Sequence, residues 1–523
     1  MSHSFCFIIE LERKAADAPF QNQRTEVFDM LKNFAFQTER AEKETVKEEC
    51  KALRERLFQQ EQTIKKTKLP VLVLVEGWGA AGKGRLIGRM IAPVDPRSFK
   101  VVSTNAPSEE DKRHPFLWRH FINIPENGKF LFLDSGWMDE TIRQKQHGEL
   151  SEKEYADRLQ SINTFERQLI DNGYLLVKIF LHISEKEQKK RIEGLLSDKD
   201  TAWRVSEHDK WQNKHYAACL ADYEEYLYAT HTPDAPWHIV ESTYKPEAER
   251  DALKILTGCI DEAVKNRDAL NQRPIIRKDY PLNPTPLLCD IDLNKTVSDQ
   301  EYDEELEHCQ EKLSALHNRL YRRKLPVILA YEGWDAAGKG GNIKRIANAL
   351  DPRGYEVIPI ASPLPHELAR HYLWRFWRQI PKTGHITIFD RTWYGRVMVE
   401  RLEGFCSEHE WQRAYNEINE FERELTDWGA VLLKFWIHID KDTQLARFIA
   451  RQNDPDKQWK ITDEDWRNRE KWDGYEDAVN EMIQKTSTKT APWHIIESND
   501  KKYARLKTMH LMIEAIETAL ENK

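Results

Sequence analysis

Residues 331–341 read YEGWDAAGKGG, and this stretch decides the fold. It follows an apolar, β-branched run and precedes a stretch whose pattern predicts a helix over 342–350. The spacing of Gly333, Gly338 and Lys339 is typical of a phosphate-binding loop, in which backbone N–H groups turn onto phosphate oxygens at a helix N-terminus. The loop residues expected to contact phosphate are Gly333, Ala336, Ala337, Gly338, Gly340 and Gly341.

Two positions depart from the usual loop. Position 340 is Gly, where such loops carry a Ser or Thr hydroxyl for Mg²⁺. Asp335 lies inside the loop, where a carboxylate repels phosphate unless a metal or a shared proton separates them. Asp335 is therefore a candidate Mg²⁺ ligand, or a base that positions an attacking phosphate. The alternative is a structural Asp bonded to backbone N–H groups.

Composition limits the functional classes. A chain of 523 residues is long enough for two or three domains. The net charge of −8 argues against nucleic acid or an anionic membrane surface as partner, although a locally basic cleft can still bind an anion. No apolar run reaches the roughly 18 residues of a membrane span. The seven cysteines lack metal-like spacing and the N-terminus lacks a signal-peptide pattern, so we expect reduced thiols and a cytoplasmic protein.

The chain contains an internal repeat of one unit. Lys339 lies 256 positions after Lys83, and Asp390 lies 256 positions after Asp134. The same offset relates DPR at 351–353 to 95–97, FER at 421–423 to 165–167, APWHI at 491–495 to 235–239, and five tryptophans in each half. This constancy indicates a tandem duplication. The predicted division is an N-terminal extension (1–40), a first copy (41–270), a Pro-rich linker (271–296) and a second copy (297–523).

Each copy alternates apolar strand-like runs with helical stretches. In the second copy the predicted strands cover 327–331, 356–361, 385–390, 431–439 and 493–497. The alternation predicts an α/β fold, a parallel sheet flanked by helices in three layers. With the loop after the first strand, this is a P-loop kinase-like architecture, present in tandem. Residues 40–67 are charge-rich with helical spacing and predict one long solvated helix.

Further candidate residues follow the third and fourth strands of the second copy. Asp390 ends a strand, the usual place for a carboxylate that meets Mg²⁺. Arg391 and Arg396 follow it and could clamp phosphates, although such a pair on its own is more often found in surface salt bridges. The basic segment 447–460, with Arg451, Lys457 and Lys460, resembles a lid over phosphates. In the basic and aromatic stretch 362–384, the residues expected in the core are Leu373, Trp374 and Trp377.

The sequences GWDAAGKGG, FDRTWYGR, RxxDPxKxWK and APWHIIES resemble those of the polyphosphate kinase type 2 family, over nearly the whole chain from about residue 40. The duplicated layout is similar to that of its two-domain polyphosphate:AMP phosphotransferases. The resemblance implies that Asp335 and Asp390 hold Mg²⁺ and orient the accepting phosphate. It also implies that Lys339, Arg391 and Arg451 bind phosphates and stabilise the transition state, with Arg396 as a further basic position.

The first copy departs from this pattern. At the offset of 256, Asp335, Arg391, Arg396 and Arg451 are replaced by Gly79, Ser135, Glu140 and Leu195. Only Lys83 and Asp134 remain. A site that lacks one acidic and three basic side chains cannot organise metal and phosphates in the same way, so we predict that the first copy is catalytically silent.

The predicted function is Mg²⁺-dependent transfer of the terminal phosphate of inorganic polyphosphate to AMP. Three alternatives remain open: a polyphosphate:ADP phosphotransferase that makes ATP, an ATP-dependent nucleoside monophosphate kinase, and a phosphate-binding scaffold. AMP rather than ADP rests on the tandem layout alone. Whether the chain forms a homo-oligomer is left open.

Overall fold

The computed structural model describes residues 30–104 and 106–522, without the side chains of residues 270–272. Most of the predicted extension, residues 1–29, therefore lies outside the described residues. Within the described ranges, no helix combines the length and the apolar character needed to cross a membrane.

Two five-stranded parallel sheets form the framework. The first sheet contains β1 (Val71–Gly77), β2 (Phe99–Ser103), β3 (Phe130–Asp134), β4 (Leu175–His182) and β5 (Trp237–Glu241). The second contains β6 (Val327–Gly333), β7 (Tyr355–Pro359), β8 (Ile386–Asp390), β9 (Val431–His438) and β10 (Trp493–Glu497). The spatial orders are β2-β3-β1-β4-β5 and β7-β8-β6-β9-β10, so the two sheets have the same topology. The predicted duplicated α/β fold is confirmed.

Helices cover both faces of each sheet. In the first copy they are α1 (Lys43–Thr67), α2 (Lys83–Ile91), α3 (Trp118–Phe121), α4 (Trp137–Gln146), α5 (Glu152–Asp171), α6 (Glu185–Leu196), α7 (Glu207–Lys214), α8 (Tyr216–Thr230) and α9 (Lys245–Lys265). In the second they are α10 (Asp299–Arg322), α11 (Lys339–Ala347), α12 (Pro365–Leu368), α13 (Trp374–Trp377), α14 (Val399–Leu402), α15 (Glu408–Asp427), α16 (Lys441–Gln452), α17 (Asp463–Glu470), α18 (Trp472–Thr486) and α19 (Lys501–Glu521). The helix predicted over 342–350 begins earlier, at Lys339, directly after the loop glycine.

The central strand of the second sheet positions the loop. Residues 327–331 of β6 are fully buried, which fits a strand covered on both faces. In the register of β6 with β8, Tyr331 lies opposite Asp390. On the other side of β6, Gly333 lies opposite Ile437 of β9. The phosphate-binding loop therefore leaves the carboxyl edge of the sheet between its two neighbours, where open α/β sheets bind ligands.

Helix α1 forms where predicted, but the expectation that it is solvated is wrong. Its residues Val46, Leu57 and Ile64 are fully buried, and the helix packs along α9. Gln60 Nε2 also donates a hydrogen bond of 2.8 Å to the carbonyl oxygen of Thr257 on α9. The apolar residues are few but share one face, and the charged residues that dominate the composition occupy the rest of the surface.

The two copies pack against each other through equivalent elements. Phe121 of α3 stacks on Trp377 of α13, with ring centroids 5.2 Å apart, and these residues are separated by the repeat offset. Nearby, Gln168 of α5 donates to Glu420 of α15 at 2.8 Å. Contact between equivalent positions is typical of a two-fold interface, here within one chain. Leu373, Trp374 and Trp377 are buried, as predicted.

The Pro-rich segment between the copies lies against the second copy. The carbonyl oxygen of Pro281 accepts a hydrogen bond of 2.9 Å from the Lys489 backbone, and Asn283 N donates to the Ser487 carbonyl at 2.7 Å. Lys278 N donates to Asn416 Oδ1 at 3.0 Å. These contacts attach the segment to α15 and to the residues that follow α18.

Candidate active site

The loop between β6 and α11 has a conformation that requires its glycines. Gly333 has φ 146°, and a Cβ atom there would lie 2.4 Å from the carbonyl oxygen of Ile437. Gly338, immediately before α11, has φ 115°. A side chain is excluded at the first position, and the second is in the left-handed region that favours glycine. The loop backbone therefore curves over the sheet edge and leads into the N-terminus of α11, an arrangement suited to an anion.

Lys339 lies over this loop. Its Nζ donates to the carbonyl oxygens of Gly333 at 2.6 Å and Trp334 at 3.3 Å. The counterpart Lys83 makes the equivalent contacts to Gly77 and Trp78 at 3.1 and 3.5 Å. Because both copies hold the ammonium group above the loop, the lysine alone does not distinguish them.

Asp335 projects from the loop into a polar cluster. Its Oδ2 accepts a hydrogen bond of 3.0 Å from Asn468 Nδ2 on α17. Its Oδ1 lies 3.4 Å from Arg391 Nη2, and the arginine side chain is 48% exposed. The carboxylate is thus held by side chains, which argues against the alternative in which it only bonds to loop N–H groups. Asp335 and Arg391, predicted separately, are brought together.

Arg391 has a constrained backbone, and Glu332 supports the residue that follows it. Arg391 has φ 68°, which is uncommon for a residue with a side chain. The buried Glu332 carboxylate accepts hydrogen bonds of 2.7 Å from both the backbone N–H and the hydroxyl of Thr392. Burial raises the pKa of Glu332, while Lys339 opposes this shift. Sequence reasoning missed Glu332, although an acidic residue near the end of an apolar strand was a visible signal.

Asp390 ends β8 at the partly exposed sheet edge, as predicted. At Gly340, the loop position that lacks a hydroxyl, a Cβ atom would meet no atom within 4 Å. In the first copy, a Cβ atom at the equivalent Gly84 would lie 3.1 Å from Asp134 Oδ2. In the first copy this loop position therefore faces the terminal Asp of the neighbouring strand, whereas in the second copy it adjoins open space.

A group of basic side chains lies on the other side of the loop. We call Arg447, Arg451, Lys501 and Arg505 the cationic group. Arg447 donates to the carbonyl oxygens of Ala336, Ala337, Ser498 and Asn499 at 2.6–3.1 Å. Burial and the neighbouring Arg451 lower the pKa of Arg447 to about 10. Arg447 therefore both braces the loop and contributes positive charge beside it.

Helix α19 completes the cationic group. Burial lowers the pKa of Lys501, and Arg447, Arg505 and Arg451 add to the effect by repulsion. A Cβ atom at Gly341 would lie 3.5 Å from Arg505 Nη2, so this guanidinium borders the phosphate-binding loop. Concentrated positive charge of this kind is stabilised by an anion. Sequence reasoning missed Lys501 and Arg505 because they follow the last strand, far from the motifs.

The remaining predicted residues lie outside the cleft described below. Arg451 donates to the Lys460 carbonyl oxygen at 3.3 Å, and Lys457 forms an ion pair with Asp454. Arg451 lies in the last turn of α16, whereas Lys457 and Lys460 belong to the exposed segment between α16 and α17, whose Trp459 is 75% exposed. The structure does not bring Arg396 to Asp335.

Arg396 is buried in a separate environment. It forms an ion pair of 3.1 Å with Glu400 and lies over the ring of Tyr372 at 4.5 Å. These contacts occupy the guanidinium within the protein, so the structure gives no support for the predicted role of Arg396 in substrate binding.

Next to Asp335 and Arg391 a cleft opens to solvent. Its lining combines an acidic and amide group (Glu332, Asp335, Glu464, Asn468, Gln444), an aromatic group (Trp334, Trp436, Tyr475) and two apolar residues (Met398, Val399). The aromatic and apolar part suits a planar ring, and Arg391, which also lines the cleft, is the basic side chain there that can pair with a phosphate.

The corresponding position in the first copy is filled. A Cβ atom at Gly79 would lie 2.1 Å from Asp209 Oδ1. The backbone N–H of Gly79 donates to Gln212 Oε1 at 2.8 Å, and Gln188 Nε2 donates to the same oxygen at 2.7 Å. Asp209 and Gln212 thus occupy the space into which Asp335 projects in the second copy.

The second copy contains both carboxylates that the sequence predicts as Mg²⁺ ligands. Asp335 and Asp390 supply carboxylate oxygens, and the open space at Gly340 leaves room for water, which Mg²⁺ usually retains. The first copy retains only Asp134 of this pair, and burial raises its pKa. Both carboxylates of the predicted ligand pair are therefore present only in the second copy.

The fold and the loop define a tandem P-loop kinase-like protein, in which one of the two phosphate-binding sites keeps a full set of charged groups. The model of the Polyphosphate kinase 2 (PPK2) family matches residues 40–268 and 296–523, and the chain belongs to this family.

Relatives span nearly the whole chain. A polyphosphate:AMP phosphotransferase of Pseudomonas aeruginosa is 38% identical over 480 residues, which are 91% of this chain and 97% of the relative. One from Pseudomonas syringae pv. tomato is 39% identical, with 90% and 94% covered. The crystal structure of a polyphosphate kinase 2 from P. aeruginosa PA01 superposes with a TM-score of 0.81 at 36% identity, covering 93% of this chain and 98% of that one.

Shorter relatives match less of the chain. An ADP-polyphosphate phosphotransferase of P. aeruginosa is 38% identical over 218 residues, 42% of this chain and 72% of the relative.

Proposed function

We propose that the second copy transfers the terminal phosphoryl group of inorganic polyphosphate to AMP, which gives ADP and a polyphosphate shorter by one phosphate. The main observation in support is the pairing of Asp335 with Arg391 between the cleft and the phosphate-binding loop. The relatives that span nearly the whole chain carry the name polyphosphate:AMP phosphotransferase. Mg²⁺ bound by Asp335 and Asp390 would neutralise phosphate charge.

The two substrates are assigned to different sides of the loop. The cationic group suits polyphosphate, whose many charges need several basic residues. The cleft suits AMP, with its base near Met398, Val399 and Tyr475 and its phosphate near Arg391. In this arrangement the reacting oxygen of AMP and the terminal phosphorus of polyphosphate meet above Lys339.

The reaction is a direct displacement. An AMP phosphate oxygen forms a bond to the terminal phosphorus while the bridging P–O bond of polyphosphate breaks, and the shortened polyphosphate keeps the electron pair. Lys339, Arg391 and the loop N–H groups stabilise the charge on the transferred group. Arg451, at the end of α16, is proposed to contact phosphates from there, and Lys457 and Lys460 when the exposed segment that follows closes.

The first copy is proposed to be silent in this reaction, because Gly79 cannot accept a side chain without displacing Asp209. The enzyme is proposed to act in the cytoplasm, where the unpaired thiols Cys50, Cys219 and Cys309 stay reduced.

The test is a donor–acceptor matrix in which polyphosphate or ATP is combined with AMP, GMP or ADP in the presence of Mg²⁺, with products separated by chromatography. The proposal predicts ADP from polyphosphate and AMP as the fastest reaction. Faster turnover with ATP as donor would indicate a nucleoside monophosphate kinase. Preferential formation of ATP from ADP would indicate the activity named for the shorter relatives. The absence of any Mg²⁺-dependent turnover would leave a phosphate-binding scaffold.

A further inference from the structure

A cluster of three potential metal ligands lies outside the cleft, where α10 packs along α19. Glu305 and Cys309 are four residues apart on one face of α10, and His510 faces them from α19. Their ligand atoms all lie within 4.8 Å of one another. Among the residues that the structure describes, no other group of three or more His, Cys, Asp or Glu side chains has its ligand atoms this close together.

The contacts within the cluster converge on one oxygen atom. Glu305 Oε1 lies 2.8 Å from His510 Nε2 and 3.7 Å from Cys309 Sγ. Cys309 is fully buried, whereas Glu305 is partly exposed and His510 is exposed, so an ion has access from solvent. The distances from His510 Nε2 and Cys309 Sγ to Glu305 Oε1 are therefore already close to those between two ligand atoms of a tetrahedral metal ion.

We propose that Glu305, Cys309 and His510 bind Zn²⁺, with water in the fourth position. Thiolate, imidazole and carboxylate are the side-chain ligands that Zn²⁺ uses in proteins, whereas Mg²⁺ requires oxygen ligands in octahedral geometry. The thiol proton is released to solvent when the sulfur binds the metal. This site is separate from the Mg²⁺ ligands proposed for the reaction.

The first copy contains a natural counterpart that cannot bind a metal. The residues at the same offset are Glu49, Leu53 and Lys254. Lys254 Nζ lies 3.3 Å from Glu49 Oε1, so an ion pair joins the two helices there. Where the first copy has Lys254 and Leu53, the second copy has a histidine and a cysteine, two residue types that bind zinc. The glutamate is present in both copies.

The position of the site connects it to the phosphate-binding loop. Thr508, two residues before His510, accepts a hydrogen bond of 3.0 Å from Asn342 Nδ2 on α11. Lys501 and Arg505 of the cationic group lie on the same helix. A metal that fixes α19 to α10 would therefore stiffen the helix that supports one side of the loop.

The experiment is a titration of the full chain, purified with a chelator and then freed of it, with Co²⁺ as a spectroscopic substitute for Zn²⁺. We expect one equivalent of Co²⁺ to give a thiolate-to-metal charge-transfer band and the visible bands of tetrahedral cobalt, both removed by Zn²⁺. Co²⁺ at the Asp335 site has oxygen ligands and gives no thiolate band. The result is therefore independent of the donor–acceptor assay.

Two variants test whether the charge-transfer band comes from Cys309. Cys309→Ser should lose it, and so should the double variant Cys309→Leu/His510→Lys, which copies the first-copy ion pair and so preserves the packing of the two helices. Zn²⁺ should raise the Tm of the wild type and leave that of the double variant unchanged. The absence of a thiolate band in the wild type overturns the proposal. Persistence of the band in Cys309→Ser overturns it as well, because another cysteine would then be the ligand.

Discussion

Asn468 donates a hydrogen bond of 3.0 Å to the carboxylate of Asp335. In the first copy the equivalent residue is Gln212, whose longer side chain reaches the backbone N–H of Gly79 instead. The amide of Asn468 on α17 thus holds the Asp335 carboxylate in the second copy. The amide of Gln212 on α7 instead fills the corresponding space beside Gly79 in the first copy.

The two loop lysines provide a matched pair of variants. Lys339→Ala should lower kcat with polyphosphate and AMP on the order of 10²–10³-fold, because it removes charge aimed at the transferred group. Lys83→Ala, which removes equivalent contacts in the first copy, should leave kcat within about two-fold of the wild type. Steady-state kinetics measures both. A comparable loss in Lys83→Ala would mean that the first copy takes part in the reaction.

Restoring the missing carboxylate should not restore a site in the first copy. Gly79→Asp places a Cβ atom where Asp209 Oδ1 now lies and adds a second negative charge beside it. We expect the free energy of unfolding to fall by about 1–3 kcal/mol, with no gain in activity. Gly258→Asp is the control, because a Cβ atom at that exposed helical position meets no atom within 4 Å. Equal Tm values for the two variants would contradict the steric argument.

Variants of the equivalent residues Arg447 and Arg191 distinguish a structural role in supporting the loop from a role in the reaction. Each donates hydrogen bonds to four backbone carbonyl oxygens, those of Arg191 being in Ala80, Ala81, Ser242 and Thr243. Replacing either by Met should lower the free energy of unfolding by about 1.5–3 kcal/mol, since charged hydrogen bonds to buried carbonyls are lost. Only Arg447→Met should also lower kcat.

Arg447→Lys refines this test. The lysine keeps the positive charge but cannot reproduce the paired contacts to the loop and to Ser498. A kcat restored by Lys would assign the effect to charge alone, whereas a kcat that stays low would assign it to the bracing of the loop.

Glu76, the first-copy counterpart of Glu332, predicts a pH dependence of stability. Burial, together with Asp139, raises the pKa of Glu76 from 4.5 to about 8. The native state then binds a proton that the unfolded chain has released, so stability falls as the pH rises from about 4.5 to about 8. Glu76→Gln is neutral throughout and should remove this loss, which has an upper limit of about 5 kcal/mol. Tm profiles of the two proteins between about pH 5 and 9 should diverge with rising pH; parallel profiles would contradict the shift.

The sequence was most informative where local backbone requirements determine the residue type. Gly333 and Gly338 could be predicted to form a phosphate-binding loop because only glycine tolerates their conformations. The strands were found within a few residues because buried parallel strands are continuously apolar. The end of α1 at Thr67 was predicted correctly and its start to within three residues, but its burial was not, since its partner α9 lies far away in the chain.

By itself, the sequence determined that this protein is a duplicated P-loop fold and that Asp335 distinguishes the copies. A constant offset and the identity of a residue can both be read without coordinates. Only the tertiary structure decided that Asn468 and Arg391 hold Asp335. It also decided that α19 adds Lys501 and Arg505 beside the loop, and that Arg396 is paired with Glu400 instead of lying beside Asp335. It also showed that Asp209 and Gln212 fill the first site. The physical reason is that these contacts join residues as far apart as Gly341 and Arg505, which are separated by 164 positions, and their proximity depends on how the helices pack onto the sheet.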